Sequence, residues 1–360
     1  MRINTNRSLK HAVIISILAL GLTAQACETS GPKGVWKSID GGQTWGRVNL
    51  VTVSGKRPSA ILDNVDIRQI TGAPDLENLL YASTPVGAFA TDNGAEVWHQ
   101  VLPGINVQEV ATARSDPATV YAVGSIQNRG VVYKTVNRGK DWERKYIESA
   151  ENVAFTVSVN PQDPNDVVVG FDSGLLINTR NGGESWSAVK TFTSRVQQVR
   201  FNSSDPSIIF ALLRRDGLWV SRDKGLNFSS TTSALGERFF TPEVSSQNFE
   251  SPTIYLGFDF DDAAPSIIYI VTDTGLFRTT DSAGTWAGIR LPVDPRSAQT
   301  LALDTSAAGR LLYVSINTVV YRSIDGGRTF TTVKIPTERL VRTIFALPNN
   351  PDIVYAGTTK

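Results

Sequence analysis

Short apolar runs bounded by turn residues recur along most of the chain, and they fall into two kinds. Runs such as Gly130-Val131-Val132-Tyr133-Lys134 and Gly275-Leu276-Phe277-Arg278 sit just ahead of Gly- and Asp/Asn-bearing turns and read as strands. The second kind is apolar almost throughout and predicts strands buried on both faces. Examples are Val167-Val168-Val169-Gly170, Val120-Tyr121-Ala122-Val123, Ile208-Ile209-Phe210-Ala211, Ile267-Ile268-Tyr269-Ile270 and Leu311-Leu312-Tyr313-Val314. The best-marked copy follows Val157-Ser158-Val159 across Asn160-Pro161-Gln162-Asp163-Pro164-Asn165-Asp166, where the Asn/Asp-Pro cluster signals a turn between two strands.

The first kind of run leads into one repeated turn. Ser38-Ile39-Asp40-Gly41-Gly42-Gln43-Thr44-Trp45 returns nearly intact at Ser323–Phe330, with weaker copies at Thr91–Trp98, Thr135–Trp142, Thr179–Trp186, Ser221–Phe228 and Thr279–Trp286. The terminal aromatics at 45, 98, 142, 186, 228, 286 and 330 are spaced by about 47 residues on average, a period that marks a repeat architecture. The third residue (Asp40, Asn137, Asn181, Asp223, Asp281, Asp325) accepts bonds from the turn's N–H groups, and the glycines accept positive φ. The eighth (Trp45, Trp142, Trp186, Phe228, Trp286, Phe330) buries the base of the hairpin. These residues are therefore expected to be structural.

Two buried strands plus the two of the hairpin make a four-stranded unit of the size of one β-propeller blade. The prediction is an all-β single seven-bladed propeller over 34–360. Its last blade closes from both termini: 34–45 supplies a hairpin without inner strands, and Ile344–Gly357 supplies inner strands without a hairpin. Such closure leaves no open edge at the seam.

At these residues the chain resembles the Asp-box (BNR) repeat propellers, whose motif is Ser/Thr-x-Asp-x-Gly-x-Thr-Trp. The pairing of Asp-Pro-x-x-Val-Tyr-Ala-Gly with that box is similar to sortilin-type propellers and to xyloglucanase-type glycoside hydrolases, and the chain also resembles the photosystem II assembly-factor family. The resemblance implies the propeller and leaves the chemistry open, because the box lies away from the active sites of such proteins. Xyloglucanase-type enzymes set their carboxylates between two propellers, whereas this chain supplies one. The first hypothesis is thus a non-catalytic scaffold for a protein partner in envelope or membrane-complex assembly. The second is a glycan-binding or glycoside-hydrolase-like propeller.

Residues 1–26 carry Arg2, Arg7 and Lys10, an apolar run over Ala12–Leu22, then Ala24-Gln25-Ala26, which reads as a secretory signal. The run is too short to span a bilayer. Cys27 stands where bacterial lipoproteins carry their lipidated thiol, so the expectation is a lipid-anchored or secreted extracytoplasmic protein with a short tether over 27–33.

Composition narrows the chemistry further. The 35 Lys+Arg against 34 Asp+Glu give a net charge of +1, which argues against nucleic acid or an anionic bilayer as an electrostatic partner. One Cys and two His leave no material for a disulfide or a thiolate or histidine metal centre, and no cofactor motif is present. A monomer without metal or cofactor is expected. Aligning the inner strands predicts a channel-mouth ring of Arg68, Gln108, Phe155, Gln197, Ile254, Gln299 and Arg342. Its two guanidiniums suit a carboxylate or phosphate, and its Gln residues suit polar groups such as sugar hydroxyls. A second candidate set is Asp172, Asp216 and Asp273, with Arg214 and Arg215 beside Asp216; turn formation beside Gly is the simpler role for these acids. Two long connections, Asn49–Asp63 and Ser229–Ser251 with its Phe239-Phe240 pair, are candidate binding loops.

Overall fold

The computed structural model describes residues 31–53, 56–73, 76–231, 252–260, 262–294, 301–306 and 311–360. Within them the chain forms seven antiparallel sheets, with one 3-10 turn at Ile61–Asn64. Blade 1 runs from Gln69 to Pro103, blade 2 from Asn106 to Glu151, blade 3 from Ala154 to Thr191 and blade 4 from Val196 to Ser230. Blade 5 runs from Tyr255 to Ile289 and blade 6 from Leu301 to Val333. Blade 7 pairs Leu340–Leu347 and Asn350–Thr359 with Gly34–Ser38 and Gly46–Arg47. The seam is the antiparallel ladder Gly34↔Thr358 to Ser38↔Val354, as the complementary ends of the sequence require. The first strand of each blade contacts the first strand of the next, from blade 1 round to blade 7 and back, so the ring is closed.

The apolar surface is divided among the joints. Seven buried clusters each join side chains of two adjacent blades, such as Phe210 and Leu218 of blade 4 with Phe258 and Phe277 of blade 5. Second strands sit between two blades and within their own sheet, which is why Val167–Phe171, Ile209–Leu213 and Leu311–Ile316 are buried at every position. Burial of such area supplies most of the stability, at roughly 25 cal/mol per Å².

Blade 1 departs from four strands. Val51–Thr52 adds a fifth, running parallel to Trp98–His99 at the outer edge. The Asn49–Asp63 connection, a candidate binding loop, is anchored at its two ends while residues 56–61 between them are exposed. Asn49 is buried, accepts the Val35 N–H at 2.6 Å and donates to Asp63 Oδ1 at 2.6 Å, and Leu62 is fully buried. The Trp98 indole donates to Val48 O at 2.8 Å. This segment covers an edge that would otherwise be open.

The hairpin turns are built as the sequence indicates. In the first, Ser38 Oγ accepts from the Gly42 N–H and donates to Asp40, while Asp40 accepts from both the N–H and the hydroxyl of Thr44. Asn137 and Asn181 hold the same turn with an amide oxygen. Second-strand tyrosines tie some turns to the neighbouring blade: Tyr313 donates to Gly41 O and Tyr355 to Gly94 O, both at 3.2 Å.

Candidate functional site

The predicted mouth residues surround a real central channel. A cavity of about 400 Å³ runs along the first strands, and Arg68, Gln108, Phe155, Gln197 and Arg342 line it at one end. They converge there because the first strand is bulged at that level. Pairing with the second strand shifts between Val107 and Glu109, Ala154 and Thr156, Val196 and Gln198, Tyr255 and Gly257, and Val341 and Thr343. The bulged residue is Gln108, Phe155, Gln197, Leu256 or Arg342, and the bulge turns it toward the rim. One expectation is corrected by this register: the blade 5 rim residue is Leu256, not Ile254, which lies before the strand. Blade 6 pairs without a bulge over Leu301–Ser306, and Gln299 lies outside the described residues. Cys27, Phe239 and Phe240 also lie outside them.

In blades 2, 3 and 7 the second strand faces the bulge with a glycine in a filled space, whereas blades 4 and 5 face it with Leu212 and Val271. A Cβ on Gly124 would stand 2.2 Å from Asn106 O, and one on Gly357 2.5 Å from Ile67 Cγ2. In five blades the first strand also presents a polar side chain to the next blade, where it accepts a backbone N–H of the following first strand. Thr343 Oγ1 takes Ile70, Gln69 Oε1 takes Val110, Glu109 Oε2 takes Val157, Thr156 Oγ1 takes Val199 and Gln198 Oε1 takes Phe258, at 2.9–3.4 Å. This belt was not found in the sequence. Its signal is there: apolar residues three apart, as in Val107-x-x-Val110, Val196-x-x-Val199 and Val341-x-x-Ile344, where a regular strand would space them by two.

The two rim arginines differ in commitment. Arg68 Nη1 donates to Asn106 Oδ1 at 2.5 Å and to Val107 O at 2.9 Å, so it fastens blade 1 to blade 2. Asp66, adjacent in sequence, pairs with Lys33 at 2.9 Å instead. Arg342 is exposed to the channel while protein atoms crowd it from most sides. That burial, then repulsion from Arg214 and Arg195, pushes its pKa down, and a guanidinium stays charged regardless. Arg342 in turn repels Arg68. Among the described residues Arg342 has no carboxylate within ion-pair distance.

The remaining rim side chains are partly engaged. The Phe155 ring is covered by the Arg195 guanidinium, 4.4 Å from its centroid, and Arg195 Nε is bonded to Asp172. Gln197 donates to Leu256 O at 3.3 Å. Asp216 accepts the hydroxyls of Thr193 and Ser194 at 2.6 and 2.7 Å, and Asp273 accepts the Thr253 hydroxyl and N–H. The three acids therefore secure the connections that lead into first strands, and only Asp172 does so through an arginine. Arg214 is half-buried near the Asp273 charge, while Arg215 is exposed. Among the described residues no group of three or more His, Cys, Asp or Glu is placed to hold a metal ion.

Deeper in the channel the charges change sign. Glu109 lies one residue below Gln108, and the next inward-facing layer brings Arg200, Asp259 and Asp304 from blades 4, 5 and 6. Burial pushes the Glu109 carboxyl above its ordinary range; the Arg200 charge and the bonds from Thr156 and Val157 oppose that without reversing it. Arg200 stands 3.8 Å from Asp259, and Arg114 pairs with Asp262 at 2.9 Å near the far end.

No protein-family profile matches the chain. Among curated proteins it is 22% identical over 240 residues to the xyloglucanase Xgh74A of Acetivibrio thermocellus, across 59% of this chain and 24% of that protein. It is also 22% identical over 232 residues to the photosystem II stability/assembly factor HCF136 of Oryza sativa subsp. japonica, across 61% of this chain and 54% of that one. Among solved structures, the GH74 xyloglucanase of Xanthomonas campestris superposes with a TM-score of 0.65 at 16% identity, covering 82% of this chain and 51% of that chain. YCF48 bound to D1 peptide gives 0.57 at 13% identity, covering 82% and 94%. At such identities the likeness speaks for the fold. The chain is a seven-bladed β-propeller that resembles the GH74 xyloglucanases and the photosystem II assembly factors YCF48 and HCF136.

Proposed function

We propose that the chain is a protein-binding propeller that takes an acidic segment of a partner at the channel rim, as a non-catalytic scaffold in membrane- or envelope-complex assembly outside the cytoplasm. The observation that carries this reading is Arg342, a guanidinium open to the channel whose charged neighbours are arginines. A partner carboxylate would relieve that repulsion and gain charge-assisted hydrogen bonds. A relative of the same fold supports the class, since YCF48 has been solved with a D1 peptide bound. The extracytoplasmic setting and lipid anchoring at Cys27 rest on the N-terminal sequence.

A glycan-binding role is the second reading, favoured by the likeness to xyloglucanases. The rim suits it less well. Its one aromatic face is covered by Arg195, and Asp172, Asp216 and Asp273 are engaged by neighbouring loops, whereas glycosidases need two carboxyls poised about 5–9 Å apart across a sugar. The test is fluorescence anisotropy with labelled acidic peptides and their amide counterparts, on wild type and Arg342→Gln. We expect acidic peptides to bind at low salt and to weaken about tenfold or more in the variant. Equal binding by both proteins refutes the rim as the site, and retention of xyloglucan oligosaccharides instead would establish the glycan reading.

A further inference from the structure

The chain joins the ring at a fixed point. Arg339 Nε donates to Gly31 O at 2.7 Å, the Lys33 N–H donates to Asp63 O at 3.0 Å, and the buried Lys33 pairs through its ammonium with Asp66 at 2.9 Å. Gly34 then opens the third strand of blade 7. It pairs with Thr358, and Thr358 pairs with Val341, the residue just before the bulged Arg342. Two strand spacings separate Gly34 from Val341, so the chain comes in about 10 Å from the rim bulge of its own blade. Asp66, which holds Lys33, is two residues from Arg68 on the next blade. The segment Gly31–Gly34 therefore lies on the face that carries the channel mouth. From there Gly34–Ser38 runs away from that face, to the Asp40 turn on the opposite one.

Length decides what an anchor at Cys27 can do. The four residues from Cys27 to Gly31 reach at most about 14 Å, whereas the five residues of Gly34–Ser38 alone rise about 17 Å before the turn adds its own depth. A membrane-held Cys27 cannot bring the turn face to the bilayer. We infer that the propeller is held with its channel mouth turned toward the membrane, and that the acidic segment taken at the rim is a membrane-proximal stretch of the partner. This inference rests on the anchored, rim-binding reading above. Exposed apolar side chains by themselves would choose the other face, where Ile39, Val136, Leu226 and Ile324 stand out from the hairpin turns. They sit one to a blade, on blades 7, 2, 4 and 6, and such singly placed residues form no continuous patch. The reach of the chain is the stronger constraint.

The test keeps the full chain in the membranes of a bacterium that expresses it. Donor dyes are attached at exposed positions, through Val86→Cys and Ser173→Cys on the mouth face and Lys140→Cys and Leu226→Cys on the turn face, and energy transfer to acceptor-labelled lipid is measured. The turn face stands at least about 17 Å further off, so transfer from the two mouth-face dyes should exceed that from the two turn-face dyes by about twofold or more. Two positions on each face keep the comparison alive should one variant fail to fold. Equal transfer from both faces, or stronger transfer from the turns, overturns the orientation and leaves the anchor standing. Cys27→Ser should move to the soluble fraction; a chain that never sediments with membranes, or a variant that sediments as fully as wild type, refutes the anchor, and the inference falls with it. For the partner, an acidic peptide on a short lipid linker should bind the anchored protein about tenfold tighter than the same peptide free in solution, because both then share one surface. Equal binding of the two forms overturns the membrane-proximal assignment, while failure of both forms to bind refutes the rim reading itself.

Discussion

In the hairpin turns a single carboxylate organises five residues, and its charge is tuned by that geometry. Hydrogen bonds from Thr44, Thr279 and Thr329 respectively lead the causes that hold Asp40, Asp281 and Asp325 at about 2. A depressed folded-state pKa means that the contribution is present above the ordinary carboxyl value of about 4 and is lost as pH falls toward 2. Asn93 and Asn181 hold the same turn without a titrating group, while Asn137 shares its turn with the Asp141 carboxylate. An amide NMR titration should therefore split the hairpins. The Thr44, Thr285 and Thr329 amides, bonded to carboxylates, shift between pH 4 and pH 2, while the Val97 and Ser185 amides, bonded to amide oxygens, stay in place. Uniform behaviour would show that the carboxylates are not the acceptors. At this scale the sequence was easily read, because turn chemistry is local: an Asp or Asn followed by Gly needs no distant partner. The same acids near the rim were harder to place. Whether Asp172 faces a ligand or Arg195 depends on a loop from the next blade, and spacing along one strand carries no trace of it.

A blade is a short sheet whose first strand must serve two neighbours at once, and the bulge is how it does so. One extra residue frees a backbone N–H for the preceding blade's side chain and turns a second side chain onto the rim. The second strand answers with glycine where the ladder is pinched. Gly124→Val should destabilise by at least about 1–3 kcal/mol, the cost of forcing atoms into a filled space, because its Cβ would meet the Asn106 carbonyl at 2.2 Å. Gly104→Val, at a position where a Cβ meets nothing within 4 Å, gives a control that carries only the cost of a positive φ. Urea denaturation of both variants measures the difference, and equal losses would remove the bulge as the reason for the glycine. Sequence reading recovered four strands per unit and missed the fifth in blade 1. Val51–Thr52 is two residues long and owes its strand character to Trp98–His99 beside it, not to any pattern of its own. The Asn49–Asp63 segment reads as a polar loop and is exposed over 56–61; its anchors, Asn49, Val51 and Leu62, are too scattered to mark burial.

The ring as a whole has no central core, since its apolar contacts are divided over seven joints and its axis is polar. Each joint is secured by an apolar cluster, and at five of them the belt adds hydrogen bonds. The count of seven was legible from the repeated turns and from the complementary ends. The rim was legible in part: five of its seven expected residues line the channel, and the error at Ile254 came from aligning strands without their bulges. Charge order along the axis was not legible at all, because Glu109, Arg200, Asp259 and Asp304 come from four different blades and meet only when the ring closes.

At two joints in succession the acceptor position carries a residue without a side-chain oxygen. Blade 5 carries Gly257 at the acceptor position and blade 6, by its register, Ala302; neither side chain has an oxygen to offer. Blade 6 therefore stands between the two joints without that acceptor, on the side of the ring opposite blades 2 and 3. A closed chain of links fails at its poorest one, and local opening draws on the segments of lowest stability. Hydrogen–deuterium exchange at neutral pH should find the second strand of blade 6, Leu311–Ile316, exchanging faster than its counterpart Val167–Phe171 in blade 3, although both are buried throughout. Gly257→Gln, which restores the acceptor that Gln198 provides one blade earlier, should slow that exchange; no change would place the weakness elsewhere. If the ring ever parts to admit or release a threaded segment, blade 6 is its clasp.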